Sequence, residues 1–299
     1  MTTAPQVRKT SRPHTSHLLA LLGGNLALSV GPTFVRMADS GPVSAAFWRV
    51  ILALPLLALL ARFNRQRLTG IAWKPLAAVV LAGMLFSLDL ASWHIGIERT
   101  KLGNASLFGN STSLMLMVWG VIMARRWPRM TETAAIALAL AGSAVLMGRS
   151  LEIGAKTLAG DLFCVLAGLF YFFFLLLIQR ARGAMGPWAQ LFHSSWASAP
   201  ILVIVALAMG EPFWPHVWWP LLALALGSQV IGTGLLFYAL GRFSSLVVGL
   251  GLLSQPAVAT LLGWLAFGER IGWLDAAGMV CVGAALVLAV AGEGRAAKS

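Results

Sequence analysis

The stretch 244–292, SSLVVGLGLLSQPAVATLLGWLAFGERIGWLDAAGMVCVGAALVLAVAG, holds two apolar runs on either side of a polar turn, Gly268-Glu269-Arg270. Each run is about 20 residues long, which at about 1.5 Å per helical residue crosses a hydrocarbon core of roughly 30 Å. A chain carrying such a stretch folds as an antiparallel hairpin of membrane helices. The first run has Gln255-Pro256 near its middle. In lipid, an amide side chain and a missing backbone donor are both costly, so they persist mainly where a helix faces protein or a watery cavity.

The whole chain obeys the same constraint. Of its 299 residues 59% are hydrophobic and 11% charged, and the mean hydropathy is +0.82. No soluble domain hides that much apolar surface, so the expected solvent is the lipid bilayer. A net charge of +12 would suggest nucleic acid in a soluble protein. Here the basic residues fall in short loops between apolar runs, where they orient the chain, and no nucleic-acid partner is expected. Cys164 and Cys281 both lie within apolar runs, as small packing residues with no disulfide or metal-ligand spacing. No phosphate-binding loop and no cofactor or metal motif occurs, so neither metal nor cofactor is expected. The polar, basic first 17 residues precede an apolar run too long for a signal-peptide core, which reads as a retained first span.

Ten spans are predicted, near 17–37, 43–61, 76–96, 103–123, 131–148, 158–179, 188–208, 217–240, 245–267 and 272–291. They form a single integral membrane domain, 1–299. Trp73, Trp127, Trp188, Trp214, Trp218, Trp219 and Trp273 fall near span ends, where an amphipathic ring prefers the interface. With the N-terminus cytoplasmic, 15 of the 22 Lys and Arg residues fall in inner segments and six in outer ones, with Arg49 inside a span. That bias puts both termini in the cytoplasm of a bacterial inner membrane.

The chain also repeats itself. A shift of 145 carries Gly23, Gly41, Pro42, Phe47 and Pro55 onto Gly168, Gly186, Pro187, Phe192 and Pro200. A shift of 141 carries Lys101, Arg129 and Gly142 onto Arg242, Arg270 and Gly283. The halves 17–149 and 157–292 thus correspond, with five spans each. Because five is odd, the second copy crosses the membrane upside down. Inverted repeats place a binding site near the midplane, at the repeat interface, and support alternating access. The expected fold is an all-α membrane protein of ten transmembrane helices, two inverted five-helix repeats around a central cavity.

With the turn LGWLAFGERIGWLDAAGMVCVGAALVLAV preceded by LSQP, the chain resembles the EamA-type transporters of the drug/metabolite transporter superfamily. The resemblance covers nearly the whole chain. The first copy departs from it, with Met115 and Pro128 where the second has Pro256 and Glu269. FWRVILALP and WHIGIERTKLGNASLFGNSTSLM look most like bacterial aromatic-amino-acid exporters.

Polar residues inside spans are the candidate site. Asn25, Ser29 and Thr33 recur every four residues on one stripe of the first span; Ser29 and Thr33 suit helix–helix hydrogen bonds, and the fuller amide of Asn25 suits a ligand. Asp89, Ser92 and Trp93 share a face of the third span, with His94 about 140° away from Asp89. A lone intramembrane carboxylate is costly, so Asp89 is read as a structural ion pair with Arg49. Trp93 is a candidate substrate-binding residue that suits either an interfacial belt or a cavity wall. Ser106, Asn110 and Ser113 stripe the fourth span, Gln229 and Thr233 the eighth, and Gln255 the ninth. Tyr171, among four phenylalanines, carries a hydroxyl that needs a partner, and Tyr238 sits near the inner end of its span.

Amides, hydroxyls and rings with few charges suit a zwitterion with a neutral or aromatic side chain. The expected function is export of neutral and aromatic amino acids. The alternative is export of other small amphipathic metabolites or cationic drugs. An enzyme is not expected: Asp89 and His94 lie on different faces, His193 and Ser194 splay apart, and no HExxH occurs. Partners are the small-molecule substrate and the bilayer, and the chain is read as a monomer.

Overall fold

The computed structural model describes residues 15–100, 108–125, 127–148, 154, 156–267 and 271–296. Ser106 and the turn at 268–270, both singled out above, lie outside the described residues. The described elements are all helical: α1 (Thr15–Met37), α2 (Pro42–Phe63), α3 (Trp73–Arg99), α4 (Ser111–Ala124), α5 (Met130–Gly148), α6 (Leu158–Ala181) and α7 (Pro187–Ala208). There follow α8 (Trp219–Ala223), a π-helical segment (Leu224–Thr233), α9 (Gly234–Ala239), α10 (Ser245–Leu252), α11 (Gln255–Phe267) and α12 (Trp273–Ala296). The π segment joins α8 and α9 into one apolar rod, Trp219–Ala239. Seven such rods are long and apolar enough to cross a membrane among the described residues, and shorter apolar helices occupy Ser111–Ala124, Met130–Leu146 and Ser245–Val258.

The outward faces are made for lipid. Leu81, Met84 and Leu88 on α3, and Leu114, Val118 and Ile122 on α4, recur every three or four residues and are exposed. Water would not tolerate apolar stripes of that extent. Trp73, Trp127, Trp214, Trp218, Trp219 and Trp273 are exposed at or near helix ends, as an interfacial belt requires. Trp188 departs from that expectation. Its ring turns inward against Gly234, where an added Cβ would stand 2.6 Å from the indole.

Pairing follows a regular scheme. α3 packs on α6 and α7, while α1 and α2 pack on the π segment. α4 packs on α6 and α10, and α1 also touches α10 and α11; α2 packs on α7, and α5 on α12. The α2–α7 contact is antiparallel and sealed at both ends by the same device. Gly41-Pro42 and Gly186-Pro187 open the two helices, each with proline in the first turn, where its missing N–H costs nothing. The other N–H groups of that first turn need acceptors. Glu211, just beyond α7, accepts from the Val43 and Ser44 N–H groups at 3.3 and 2.8 Å and from Ser44 Oγ at 3.1 Å. Gln66, just beyond α2, returns the arrangement: its Oε1 accepts from the Ala189 N–H at 3.0 Å. Each capping side chain lies where a Cβ on Gly41 or Gly186 would stand, which is why both positions are glycine.

Loss of a cap of this kind costs about 1 kcal/mol, and the Glu211 carboxylate adds a favourable charge at a helix N-terminus. Glu211→Ala is therefore expected to lower the melting temperature of the purified protein more than Gln66→Ala does. Thermal unfolding in detergent measures both, and unchanged melting in the two variants would deny the caps any role.

Candidate functional site

The polar groups of the interior meet where α2, α3, α6, α7 and the π segment come together. Arg49 reaches across from α2: its Nε donates to Gln229 Oε1 at 2.8 Å, and its Nη2 lies 3.5 Å from Thr233 Oγ1. Gln229 in turn donates from Nε2 to Ser195 Oγ on α7 at 2.8 Å. Thr233 Oγ1 donates to the Ser228 carbonyl, five residues back, at 3.2 Å, as the wider π turn permits. The guanidinium carbon stands 5.7 Å above the Phe86 ring. Phe86 stacks on Phe174 at 4.9 Å, and Tyr171 closes the group at 5.4 Å from Phe174.

This corrects the expected ion pair. Among the described residues no salt bridge joins Arg49 to Asp89, although each lies within the other's electrostatic field. Neutral oxygens accept hydrogen bonds from the guanidinium and the electron-rich face of an aromatic ring attracts it, without cancelling its charge as a carboxylate would. Asp89 is half-buried with no hydrogen bond among the described residues. It lies one turn from Phe86 and one from Trp93, about 100° around α3 from the lipid-facing stripe of Leu81, Met84 and Leu88.

A second polar focus lies where helices are interrupted. The chain breaks between α10 and α11 at Leu253–Ser254, immediately before Pro256, which cannot donate to a continuing ladder. The donor missing at Pro256 thus coincides with a two-residue break in the helix. Asn25 Nδ2 donates to the Gly251 carbonyl at this break and to Ser254 Oγ at 3.2 Å. Asn25 is fully buried, so its amide stitches α1 to the break and does not face open space. Ser143 Oγ donates to the Leu253 carbonyl at 3.4 Å from α5. Gln255, the first residue of α11, is half-buried and without a hydrogen bond among the described residues.

The fourth span is interrupted too. Asn110 is the turn residue before α4, its carbonyl accepting the Ser113 N–H at 3.0 Å. Of the expected polar stripe, the described residues Asn110 and Ser113 straddle the start of α4. Ser113 is buried at the α4–α10 contact, where its carbonyl abuts Gly249. The indole nitrogen of Trp93 lies 3.3 Å from where a Cβ on Gly109 would stand, so Trp93 borders this break. Tyr238 stands apart: its ring stacks on His17 at 4.7 Å and it is 42% exposed. Of the predicted residues, Gln229 and Tyr171 join Arg49 in one cluster, with Asp89 in its field; Trp93, Asn110 and Gln255 border the breaks, and Tyr238 is peripheral. Ser195 was missed, though the small-polar run His193-Ser194-Ser195 on a membrane helix signals an inward face.

Apolar stripes outward and a charged, hydroxyl- and ring-lined interior define a multi-pass membrane protein whose polar chemistry is gathered inside the bilayer. The sequence profile of the EamA-like transporter family matches the chain twice, over residues 15–148 and 158–291, and the chain belongs to that family. It is 23% identical over 266 residues to an uncharacterized transporter of Archaeoglobus fulgidus, covering 86% of this chain and 90% of that one. A solved crystal structure of another protein shares the fold at a TM-score of 0.77 and 15% identity, covering 93% of this chain and 98% of that one.

Proposed function

We propose that this transporter exports neutral and aromatic amino acids from the cytoplasm by alternating access through a central cavity between two inverted five-helix repeats. The carrying observation is the Arg49–Gln229–Ser195 network set against Phe86, Phe174 and Tyr171. Fixed hydrogen-bonding groups next to rings match a small solute with polar ends and an apolar or aromatic tail.

Three features support the inverted arrangement. The principal contacts are kept when each helix of the first half is exchanged for its counterpart in the second: α3 with α6 answers to the π segment with α1, and α4 with α6 answers to α11 with α1. Glu211 and Gln66 cap the N-termini of α2 and α7 at opposite ends of the antiparallel pair, and they are related by the same shift of 145 that relates Gly41 to Gly186. The breaks at Asn110 and at Leu253–Ser254 fall in corresponding helices. Paired broken helices near the midplane are where inverted-repeat carriers hold substrate. On this reading ten helices span a bacterial inner membrane, both termini are cytoplasmic, and the chain works as a monomer without chemical change to its cargo.

The test is counterflow. Proteoliposomes preloaded with unlabelled phenylalanine are expected to accumulate labelled phenylalanine above empty vesicles, with competition by other neutral and aromatic amino acids. Asp89, a carboxylate without a hydrogen bond among the described residues, favours the second reading, other small amphipathic metabolites or cationic drugs. Counterflow driven by such a cation and not by phenylalanine would replace the first reading with the second.

A further inference from the structure

We infer that Asp89 and Arg49 are the two ends of a zwitterion clamp, Asp89 receiving the ammonium of an α-amino acid and Arg49 its carboxylate; this rests on the amino-acid reading above. The starting point is what the two residues do not do. A guanidinium and a carboxylate on adjacent helices, within each other's field, ordinarily close into an ion pair. Here Arg49 is held off by Gln229, Thr233 and the Phe86 ring, and Gln229 is itself fixed by Ser195. The cation is positioned by neutral groups, which leave its charge uncancelled and its Nη1 without a hydrogen bond among the described residues.

Asp89 is the complementary half. Neither of its oxygens has a hydrogen bond among the described residues, and neither is among the sealed, unpartnered polar atoms, so both face accessible space. The Tyr171 hydroxyl and the Trp93 indole nitrogen meet the same two conditions. Phe86 and Phe174 are sealed behind them. The accessible groups are therefore a cation, an anion, a phenol and an indole, with a rigid aromatic backing.

Electrostatics then selects the cargo. A simple cation answers Asp89 and is repelled by Arg49, and a simple anion meets the reverse. A zwitterion answers both charges, and because it carries no net charge the membrane potential neither drives nor opposes its crossing. Its side chain is left to lie between Trp93 and Tyr171.

The experiment is competition in the same proteoliposomes, with labelled phenylalanine challenged by phenylalanine, phenylalanine amide (ammonium only) and N-acetyl-phenylalanine (carboxylate only). In the wild type each capped analogue is expected to compete roughly tenfold or more weakly than phenylalanine, the scale of one charged hydrogen bond. Asp89→Asn is expected to abolish the preference for phenylalanine over N-acetyl-phenylalanine, and Arg49→Gln the preference over the amide. Either capped analogue competing as well as phenylalanine in the wild type overturns the clamp, whether or not the variants fold. Preferences surviving unchanged in folded variants overturn it too. Absence of any phenylalanine flux overturns the amino-acid reading itself, whereas flux without discrimination overturns the clamp alone.

Discussion

Arg49→Leu is expected to reduce transport about a hundredfold at matched membrane abundance. The substitution removes the donor that Gln229 Oε1 accepts from at 2.8 Å. Gln229 is fully buried and keeps only its bond to Ser195. A buried acceptor left without a donor costs about 1–3 kcal/mol, and loss of a charged hydrogen bond to substrate costs about as much again. The first cost falls on the fold in free and bound states alike; the second, up to about 3 kcal/mol of lost binding, corresponds to roughly two orders of magnitude in affinity. Arg49→Lys is expected to recover little, because an ammonium lacks the planar fork that meets Gln229 and Thr233 together. Initial rates of labelled phenylalanine counterflow measure both variants. Flux in Arg49→Leu within about threefold of wild type would remove Arg49 from the site. Because Arg49 and Asp89 do not pair directly, neither substitution strands an ion-paired partner, and the folded protein is expected to persist.

Gly83→Val is expected to have the largest effect on folding. Gly83 lies where α3 crosses α7, and a Cβ there would stand 2.3 Å from the Ser194 carbonyl oxygen and 2.9 Å from Ala197 Cβ. Backbone cannot rotate out of the way as a side chain can, so the helices must separate. That separation also breaks the Ser198 Oγ bond to the Gly83 carbonyl, 2.8 Å long. Overpacking of this kind costs about 3 kcal/mol. The α3–α7 crossing also sets Phe86 against the helix that carries Ser195, so activity falls with the folded fraction. Size-exclusion recovery and melting temperature in detergent measure the effect. Gly283→Ala is the control, since a Cβ on Gly283 meets nothing within 4 Å. Equal recovery of the two variants would mean that the α3–α7 contact is looser than its geometry implies.

What the amino-acid sequence determined by itself is what depends on one helix at a time. Runs of about 20 apolar residues state the solvent, because each backbone polar group must be satisfied within its own helix. Many tryptophans mark helix ends, and Pro256 marks a lost backbone donor, which coincides with a break there but not at Pro55 or Pro200, inside unbroken α2 and α7. Gly41-Pro42 and Gly186-Pro187 announced a repeat, and the family match falls on the same two halves. The tertiary structure decided which polar atoms meet. Arg49 finds Gln229 at a separation of 180 residues and Asn25 finds Ser254 at 229, and no local pattern encodes such a choice. A sequence reading assigns a buried cation to the available carboxylate because opposite charges attract most strongly. The fold brought an amide and a hydroxyl within hydrogen-bond reach and left that carboxylate outside ion-pair distance, so short-range hydrogen-bond geometry outweighed the longer-range attraction.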